Sequence, residues 1–163
     1  MAEATWYVGQ LASVAGANKQ HLTLYNGVGS GKIVKIYKVV ATGAPTVAVT
    51  GLVLVLHAVR ITAAPTGGTV KVPLSSAVES ALPAQIVARA APTSVTGEEA
   101  TPFGIGTVSG EETSSSGRCT IYEYGIDGMK PVELAEGVGM TIKQGALASA
   151  GACHLMVWFT VVP

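Results

Sequence analysis

The stretch NGVGSGKIVKIYKV, residues 26–39, poses a choice between a phosphate-binding loop and a turn between two β-strands. A P-loop requires G-x-x-x-x-G-K-[ST], whereas this stretch has Asn26 in place of the first glycine and Ile33 in place of the hydroxyl residue. The dinucleotide-binding fingerprint G-x-G-x-x-G also fails, because Lys32 stands where its third glycine belongs. The glycines alone therefore do not indicate a nucleotide site.

The residues that follow the glycines decide between the two structures. Residues 32–41 are rich in Ile and Val, whose branching at Cβ disfavours helix, whereas a phosphate loop leads into a helix N-terminus. Asn26–Gly27 is a strong turn dipeptide, because both residue types tolerate positive φ. The sequence predicts a structural turn with Asn26 and Gly27 at its corner.

Strand patterns recur along the whole chain, and helical spacing is almost absent. Residues 74–85 are the only stretch that could form a helical turn. The predicted strands lie at 21–26, 32–41, 46–62, 68–73, 85–92, 103–108 and 118–126, at two places within 130–145 separated near Gly137, and at 151–163. This count predicts an all-β, single-domain antiparallel β-sandwich or jelly roll of nine or ten strands, with at most one short helical turn.

A chain of 163 residues is most simply one domain, spanning 1–163, and it is long enough to bury a real core. Residues 1–20 are interpreted as a possible N-terminal arm. Residues 93–117 are rich in Gly, Ser, Thr and Glu and are interpreted as a long polar excursion that contains one short strand.

The surface is unusually poor in charge, since only 12% of the residues are charged and 48% are apolar. Burial of this surface against other copies or a larger assembly is the simplest explanation. Residues 1–78 carry six basic side chains and one acidic one, whereas residues 79–163 carry four basic and nine acidic ones. Either the two halves present different surfaces that dock head-to-tail, or their strands interleave and the asymmetry averages out.

Several classes of partner and compartment are disfavoured by composition. No clustered basic stripe is present, so we expect no nucleic acid partner. The longest apolar run, residues 51–59, is half a membrane span, and the first residues lack a signal-peptide pattern, so we expect no membrane. Cys119 and Cys153 are expected to be buried free thiols. These features are typical of a protein made and assembled in the cytoplasm.

No catalytic or metal-binding constellation is visible. His21, His57 and His154 lie singly, without the spacing of a metal pair, so no metal or cofactor is expected. Cys153 and His154 are neighbours on a predicted strand and should point to opposite faces. We therefore expect that the chain is not an enzyme.

Paired acids occur twice in the polar excursion, at Glu98–Glu99 and Glu111–Glu112. A glycosidase needs two carboxylates across the scissile bond. Because no aromatic platform for a sugar accompanies these pairs in sequence, we interpret them as solvated loop charges.

Three aromatic residues are candidates for contact with a partner: Trp6 and Tyr7 near the N-terminus, and Phe103 in the polar excursion. The alternative for the first two is that one ring simply covers the core. Residues 1–20 and 93–117 are accordingly the segments expected to supply contacts.

Two long stretches resemble small structural proteins of tailed bacteriophages. Residues 21–41 contain an N-G-x-G-S-G turn between strands, and residues 56–76 contain an R-I-T-x-A segment that leads to a G-G-T turn. The ending, residues 133–162, is similar to the closing strands of jelly-roll modules in such proteins. The resemblance covers about half of the chain and leaves 93–130 without support.

This resemblance implies a head decoration (cement) protein on the capsid surface of a virion. Such a protein, often a homotrimer, binds the major capsid protein and locks neighbouring subunits together. The alternatives are a receptor-binding module at a tail tip or fibre and, less favoured, a jelly-roll enzyme of the cupin type. Because Phe103 is the only aromatic residue within 93–117, sugar recognition by that loop is disfavoured.

Overall fold

The structure is a computed structural model that describes residues 5–44, 52–75, 81–110, 117–125, 130–146 and 151–163. Within these ranges the chain forms twelve β-strands and no α-helix. The strands are β1 (Thr5–Val14), β2 (Gln20–Asn26), β3 (Ile33–Gly43), β4 (Leu52–Ile61), β5 (Thr69–Lys71), β6 (Leu74–Ser75), β7 (Ile86–Ala90), β8 (Gly104–Gly110), β9 (Arg118–Glu123), β10 (Val132–Leu134), β11 (Val138–Gln144) and β12 (Ala152–Val162).

The strands form two six-stranded sheets that pack face to face. Sheet A has the order β10-β3-β12-β1-β6, and β9 pairs with the same central strand β3. Sheet B has the order β5-β7-β2-β11-β4-β8. Every pairing between these strands is antiparallel. The predicted all-β antiparallel sandwich is confirmed.

The two halves of the chain interleave within both sheets. Sheet A takes β1, β3 and β6 from the first half and β9, β10 and β12 from the second. Sheet B likewise combines β2, β4 and β5 with β7, β8 and β11. The opposite charges of the halves are therefore distributed over the whole molecule, which confirms the interleaved arrangement and removes the basis for head-to-tail docking of two charged halves.

Ten strands lie where the sequence predicts them, and two further strands are absent from the prediction. The polar excursion contains β8, and the break near Gly137 separates β10 from β11. Of the stretch 74–85, residues 74–75 form β6 and 81–85 carry no helix, whereas 76–80 lie outside the described residues. The two strands absent from the prediction, β1 and β6, pair with each other, Trp6 opposite Ser75 and Tyr7 opposite Leu74.

The interpretation of residues 1–20 as an arm is wrong for the part that the structure describes. β1 lies between β12 and β6, and its pairing with β12 extends over most of its length. The physical reason is the alternation in Trp6-Tyr7-Val8, which places Trp6 and Val8 in the core with 7% and 3% exposure. A detached arm would leave these apolar side chains in water.

The core lies between the sheets and is built from aliphatic side chains on alternate positions of the central strands. The fully buried large residues include Phe159 on β12, Leu24 on β2 and Ile142 on β11. Burying one such side chain contributes about 1.5–3 kcal/mol. Because this core packs the two sheets against each other, side chains on the outer face of each sheet keep fixed relative positions.

Sheet B approaches sheet A most closely where β8 passes β9, and glycine makes this approach possible. A Cβ atom at Gly104 would lie 2.5 Å from the carbonyl oxygen of Ile121, and one at Gly106 would lie 2.9 Å from Sγ of Cys119. Both distances are shorter than real Cβ contacts allow. Gly104 and Gly106 therefore allow β8 and β9 to pack closely together at one edge of the sandwich.

Candidate functional site

The glycine-rich turn connects β2 to β3 and is structural, as the sequence predicts. Its corner, however, is not Asn26–Gly27, because the positive φ angles belong to Gly29 at 84° and Gly31 at 63°. Asn26 stays in β2 and is fully buried, and its Nδ2 donates to the carbonyl oxygens of Lys32, at 2.8 Å, and Leu134, at 3.0 Å. Asn26 thus anchors the turn by bonding to the residue before β3 and to the end of β10.

The turn does bind an anion, but the anion is the protein's own Glu136. The backbone N–H groups of Gly29 and Gly31 both donate to the Glu136 carboxylate, the first at 3.1 Å. Glu136 lies between β10 and β11, and the N–H of the neighbouring Gly137 donates to the carbonyl of Asn26 at 2.8 Å. These donors are occupied within the chain, so a phosphate would have to displace Glu136.

Ser13 and His21 form a buried pair that bridges the two sheets. Ser13 Oγ lies 2.7 Å from Nδ1 of His21, and the two residues are 3% and 0% exposed. The pairing register of β1 shifts between Gln10 and Ser13, and that of β2 shifts opposite Ile142 and Lys143. Such bulges change the direction of a side chain. They account for the burial of His21 next to Leu22, where strict alternation predicts opposite faces.

The Ser13–His21 pair is not built for nucleophilic catalysis. Burial and, to a smaller extent, the nearby Lys19 together lower the pKa of His21 to about 4, against the opposing effect of a hydrogen bond with Gln144. A catalytic serine must reach its substrate, and Ser13 is closed off from solvent. The pair is a polar bridge within the core.

The cysteines lie on opposite sides of one strand. Cys119 on β9 faces Ala41 of β3, and Cys153 on β12 faces Gly43 of the same strand. Two strand spacings of about 4.8 Å separate them, which is too far for a disulfide without movement of the backbone. Both are free, and burial raises the pKa of Cys153 to about 11.

Residues considered for chemistry are otherwise dispersed. Across the part of the chain that the structure describes, no three His, Cys, Asp or Glu residues form a metal-sized group. Glu98 is not a free solvated charge, as the sequence suggested, because it pairs with Lys143 and accepts a hydrogen bond from Gln20 at 2.6 Å. The pair Glu111–Glu112 lies outside the described residues.

The three predicted contact residues occupy three different environments, and the fold does not bring them together. Trp6 is 7% exposed and packs in the core, which is the alternative that the sequence left open for this ring, and its role in partner contact stays a prediction. Phe103 is half-buried and packs edge-to-face on Tyr122, with ring centroids 5.5 Å apart. Tyr7 is half-buried on the outer face of sheet A, opposite Trp158.

A row of four side chains crosses the outer face of sheet A next to Tyr7. The register places Tyr7 opposite Trp158, Trp158 opposite Lys38, and Lys38 opposite Glu123, so that β1, β12, β3 and β9 each contribute one residue. The neighbours Trp6 and Phe159 face the core. With three strand spacings, the row is ~14 Å long.

A β-bulge in β3 places a further aromatic residue beside this row. The register between β12 and β3 shifts from Trp158–Lys38 to Phe159–Ile36, so Tyr37 is the extra residue on β3. Its ring meets that of Tyr124 edge-to-face, with centroids 5.4 Å apart and planes at 89°. The backbone N–H of Tyr124 donates to the carbonyl of Tyr37 at 2.7 Å, which holds the backbones of the two residues next to each other.

These residues line a shallow depression that we call the aromatic cleft. Its volume is about 430 Å³, and its lining consists of Tyr37, Lys38, Arg118, Glu123, Tyr124 and Trp158. Lys38 Nζ lies 2.6 Å from a Glu123 carboxylate oxygen, whereas Arg118 is exposed and has no ion-pair partner among the described residues. The cleft therefore combines aromatic rings with one net positive charge.

Sequence reasoning missed the aromatic cleft because its members are far apart in the chain. The only local signal is that Tyr37, Tyr124 and Trp158 belong to strand patterns that leave one face for solvent. Which strands become neighbours, and where a bulge interrupts the alternation, depends on pairing between distant segments.

A second surface lies next to β1, where the chain passes from sheet B to sheet A, and its Leu74 continues the row from the far side of Tyr7. Val70, Val72 and Leu74 are 56%, 79% and 55% exposed, and we call them the apolar edge. They adjoin a groove of about 370 Å³ that is also lined by Pro73 and Leu82. Among the strands that the structure describes, β5 neighbours β7 and β6 neighbours β1, which places each at one end of the strand order of its sheet.

No helix among the described residues is long and apolar enough to cross a membrane. Comparison with protein-family models, with curated proteins and with solved structures finds no match for this chain.

Proposed function

We propose that this chain is a viral structural protein, a decoration (cement) protein that binds the outside of a phage capsid and stabilises it. Its partners are the major capsid protein and other copies of itself, in a homotrimer. The proposal is supported by the resemblance of residues 21–41 and 56–76 to phage structural proteins. In the structure these stretches form strand–turn–strand units, with Gly67 and Gly68 in the second turn at positive φ.

The observation that carries the proposal is the apolar edge. Three large aliphatic side chains more than half exposed within five residues are costly in an isolated protein, and they suit a surface that is covered in an assembly. The outer side of β5, which among the described strands pairs with β7 alone, also offers backbone groups to an added strand. Many such contacts, repeated over a shell, would sum to tight attachment.

The first test is the copy number in virions purified from the source, measured by mass spectrometry against the major capsid protein. A simple ratio to the capsid subunit supports decoration, and absence from the particle refutes any virion role. The second test is attachment of the V72E variant to undecorated heads. V28E is the matched control, because Val28 is 77% exposed but lies in the glycine-rich turn. Attachment of V72E equal to that of V28E contradicts the role of the apolar edge.

A receptor-binding module at the tail tip is the second candidate, and the aromatic cleft is the observation that favours it. Surfaces that recognise small ligands combine aromatic rings with a few polar groups, as this cleft does. A copy number far below that of the capsid subunit would favour this function over decoration.

A further inference from the structure

We propose that the aromatic cleft binds a saccharide, and that Arg118 selects one with a carboxylate. This inference does not rest on attachment to a capsid, because no residue that lines the aromatic cleft belongs to the apolar edge, whose Leu74 lies two strands from Trp158 with Tyr7 between them. It also differs from recognition by residues 93–117, which hold no ring of the cleft.

The rings supply the surface that a pyranose requires. An aromatic face carries partial negative charge, and the C–H bonds on one side of a sugar ring present partial positive charge to it. Tyr124 is 47% exposed, and Tyr37 and Trp158 are half-buried, so each retains accessible ring area. Tyr and Trp also carry a polar tip that can bond to a hydroxyl group.

The charged groups narrow the ligand class. Lys38 and Glu123 neutralise each other while keeping free donor and acceptor capacity for sugar hydroxyls. Arg118, which lies opposite Thr42 and thus four residues along β3 from Lys38, is then the surplus charge, and its planar guanidinium matches a carboxylate with two parallel hydrogen bonds. A quaternary ammonium ligand is disfavoured, because an aromatic cage for a cation would not carry a net positive charge.

Single-stranded nucleic acid also stacks on aromatic side chains exposed on a sheet, but it requires a positively charged groove along its backbone. The aromatic cleft has two cations, and one of them is already paired with Glu123. The observations therefore favour a saccharide, and nucleic acid becomes an outcome of the test.

The cleft is organised before any ligand arrives. Three of its elements, β12, β3 and β9, are paired in one sheet, and a backbone hydrogen bond from Tyr124 to Tyr37 accompanies the edge-to-face contact of their rings. A site whose side chains are already ordered loses little entropy on binding, which makes weak stacking contacts sufficient for measurable affinity.

The test uses the full chain and four saccharides: sialyllactose and hyaluronan tetrasaccharide as acidic probes, and lactose and chitotetraose as neutral ones. Binding is followed by calorimetry and by the NMR signal of the Trp158 indole N–H. We expect an acidic probe to bind and to shift this signal. Tyr124→Ala should weaken binding at least tenfold, and Arg118→Gln should remove the preference for the acidic probe.

Tyr25→Ala is the matched control, because Tyr25 is a half-buried tyrosine on β2 of sheet B; it should bind as the parent does. Because Arg118 is exposed, Arg118→Gln should leave the fold intact, so this variant still tests the proposal if Tyr124→Ala does not fold. The proposal is overturned if none of the four probes shifts the Trp158 signal, if Arg118→Gln leaves the acidic preference intact, or if oligo-thymidylate binds the cleft and the saccharides do not.

Discussion

Ser13 Oγ and His21 Nδ1 lie 2.7 Å apart and join sheet A to sheet B through the core. Both residues are buried, and a bulge in each strand brings them together. Because a buried polar pair is stable only while its partners stay bonded and uncharged, this contact makes the sandwich sensitive to acid.

The free energy of unfolding should fall as the pH decreases from about 6.5 to about 4. His21 has its pKa lowered from 6.5 to about 4 by burial, so in this window the unfolded chain binds a proton that the folded one does not. Above the pKa of the unfolded chain, neither state binds this proton and the folded state keeps its full stability. As the pH falls through the window, the free energy of unfolding decreases by about 3 kcal/mol. Urea unfolding at a series of pH values measures the slope.

The variant His21→Asn isolates this contribution, since it removes the titrating ring and should flatten the slope between pH 6.5 and 4. His57→Asn is the matched control, because it removes a half-buried histidine on β4 and leaves Ser13 and His21 in place, so it should keep the parent slope. Equal slopes for the parent and His21→Asn would show that His21 is not the source of the acid sensitivity.

Asn26→Ala should destabilise the fold by about 2–3 kcal/mol, because the buried carbonyl oxygen of Leu134 and the partly buried one of Lys32 lose their donor. Denaturant unfolding is the measurement. Ser30→Ala is the control in the same turn: Ser30 Oγ accepts only one hydrogen bond, from the Lys32 N–H, and its loss should cost about 1 kcal/mol or less. A smaller effect for Asn26→Ala than for Ser30→Ala would contradict the anchoring role.

Glu136→Ala should speed amide hydrogen exchange at Gly29 and Gly31, because the carboxylate that accepts from both N–H groups is gone. Glu136→Gln keeps an acceptor oxygen without the charge and should give intermediate protection. Added phosphate should restore protection in Glu136→Ala but not in the parent, whose donors are occupied. Unchanged exchange in Glu136→Ala would mean that the carboxylate does not hold the turn in solution.

Gly104→Ala should destabilise the sandwich by about 1–3 kcal/mol, because its Cβ would lie 2.5 Å from the backbone oxygen of Ile121. Gly145→Ala is the matched control, since the nearest atom to its Cβ would be 3.8 Å away. Thermal and urea unfolding of the two variants compare them directly. If both variants unfold like the parent, β8 and β9 do not pack as closely in solution as the structure has them.

Much of the fold could be predicted from local pattern. The alternation of apolar residues and the Gly- and Pro-containing turns located ten strands and predicted a turn between the strands at 21–26 and 32–41, because both signals act over a few neighbouring residues. The candidate site was much less predictable. Of the three predicted contact residues, Trp6 lies in the core, and only Tyr7 lies beside the aromatic cleft.

The sequence by itself determined the all-β class, the positions of most strands and the structural nature of the glycine-rich turn, since a strand's period of two and the φ preferences of glycine are local properties. Only the tertiary structure decided that β1 is a sheet strand, that His21 turns inward, and that Tyr37, Tyr124 and Trp158 share one surface. The physical reason is that strand neighbours and bulges are set by pairing between segments far apart in the chain, and a shift of one residue moves every following side chain to the other face.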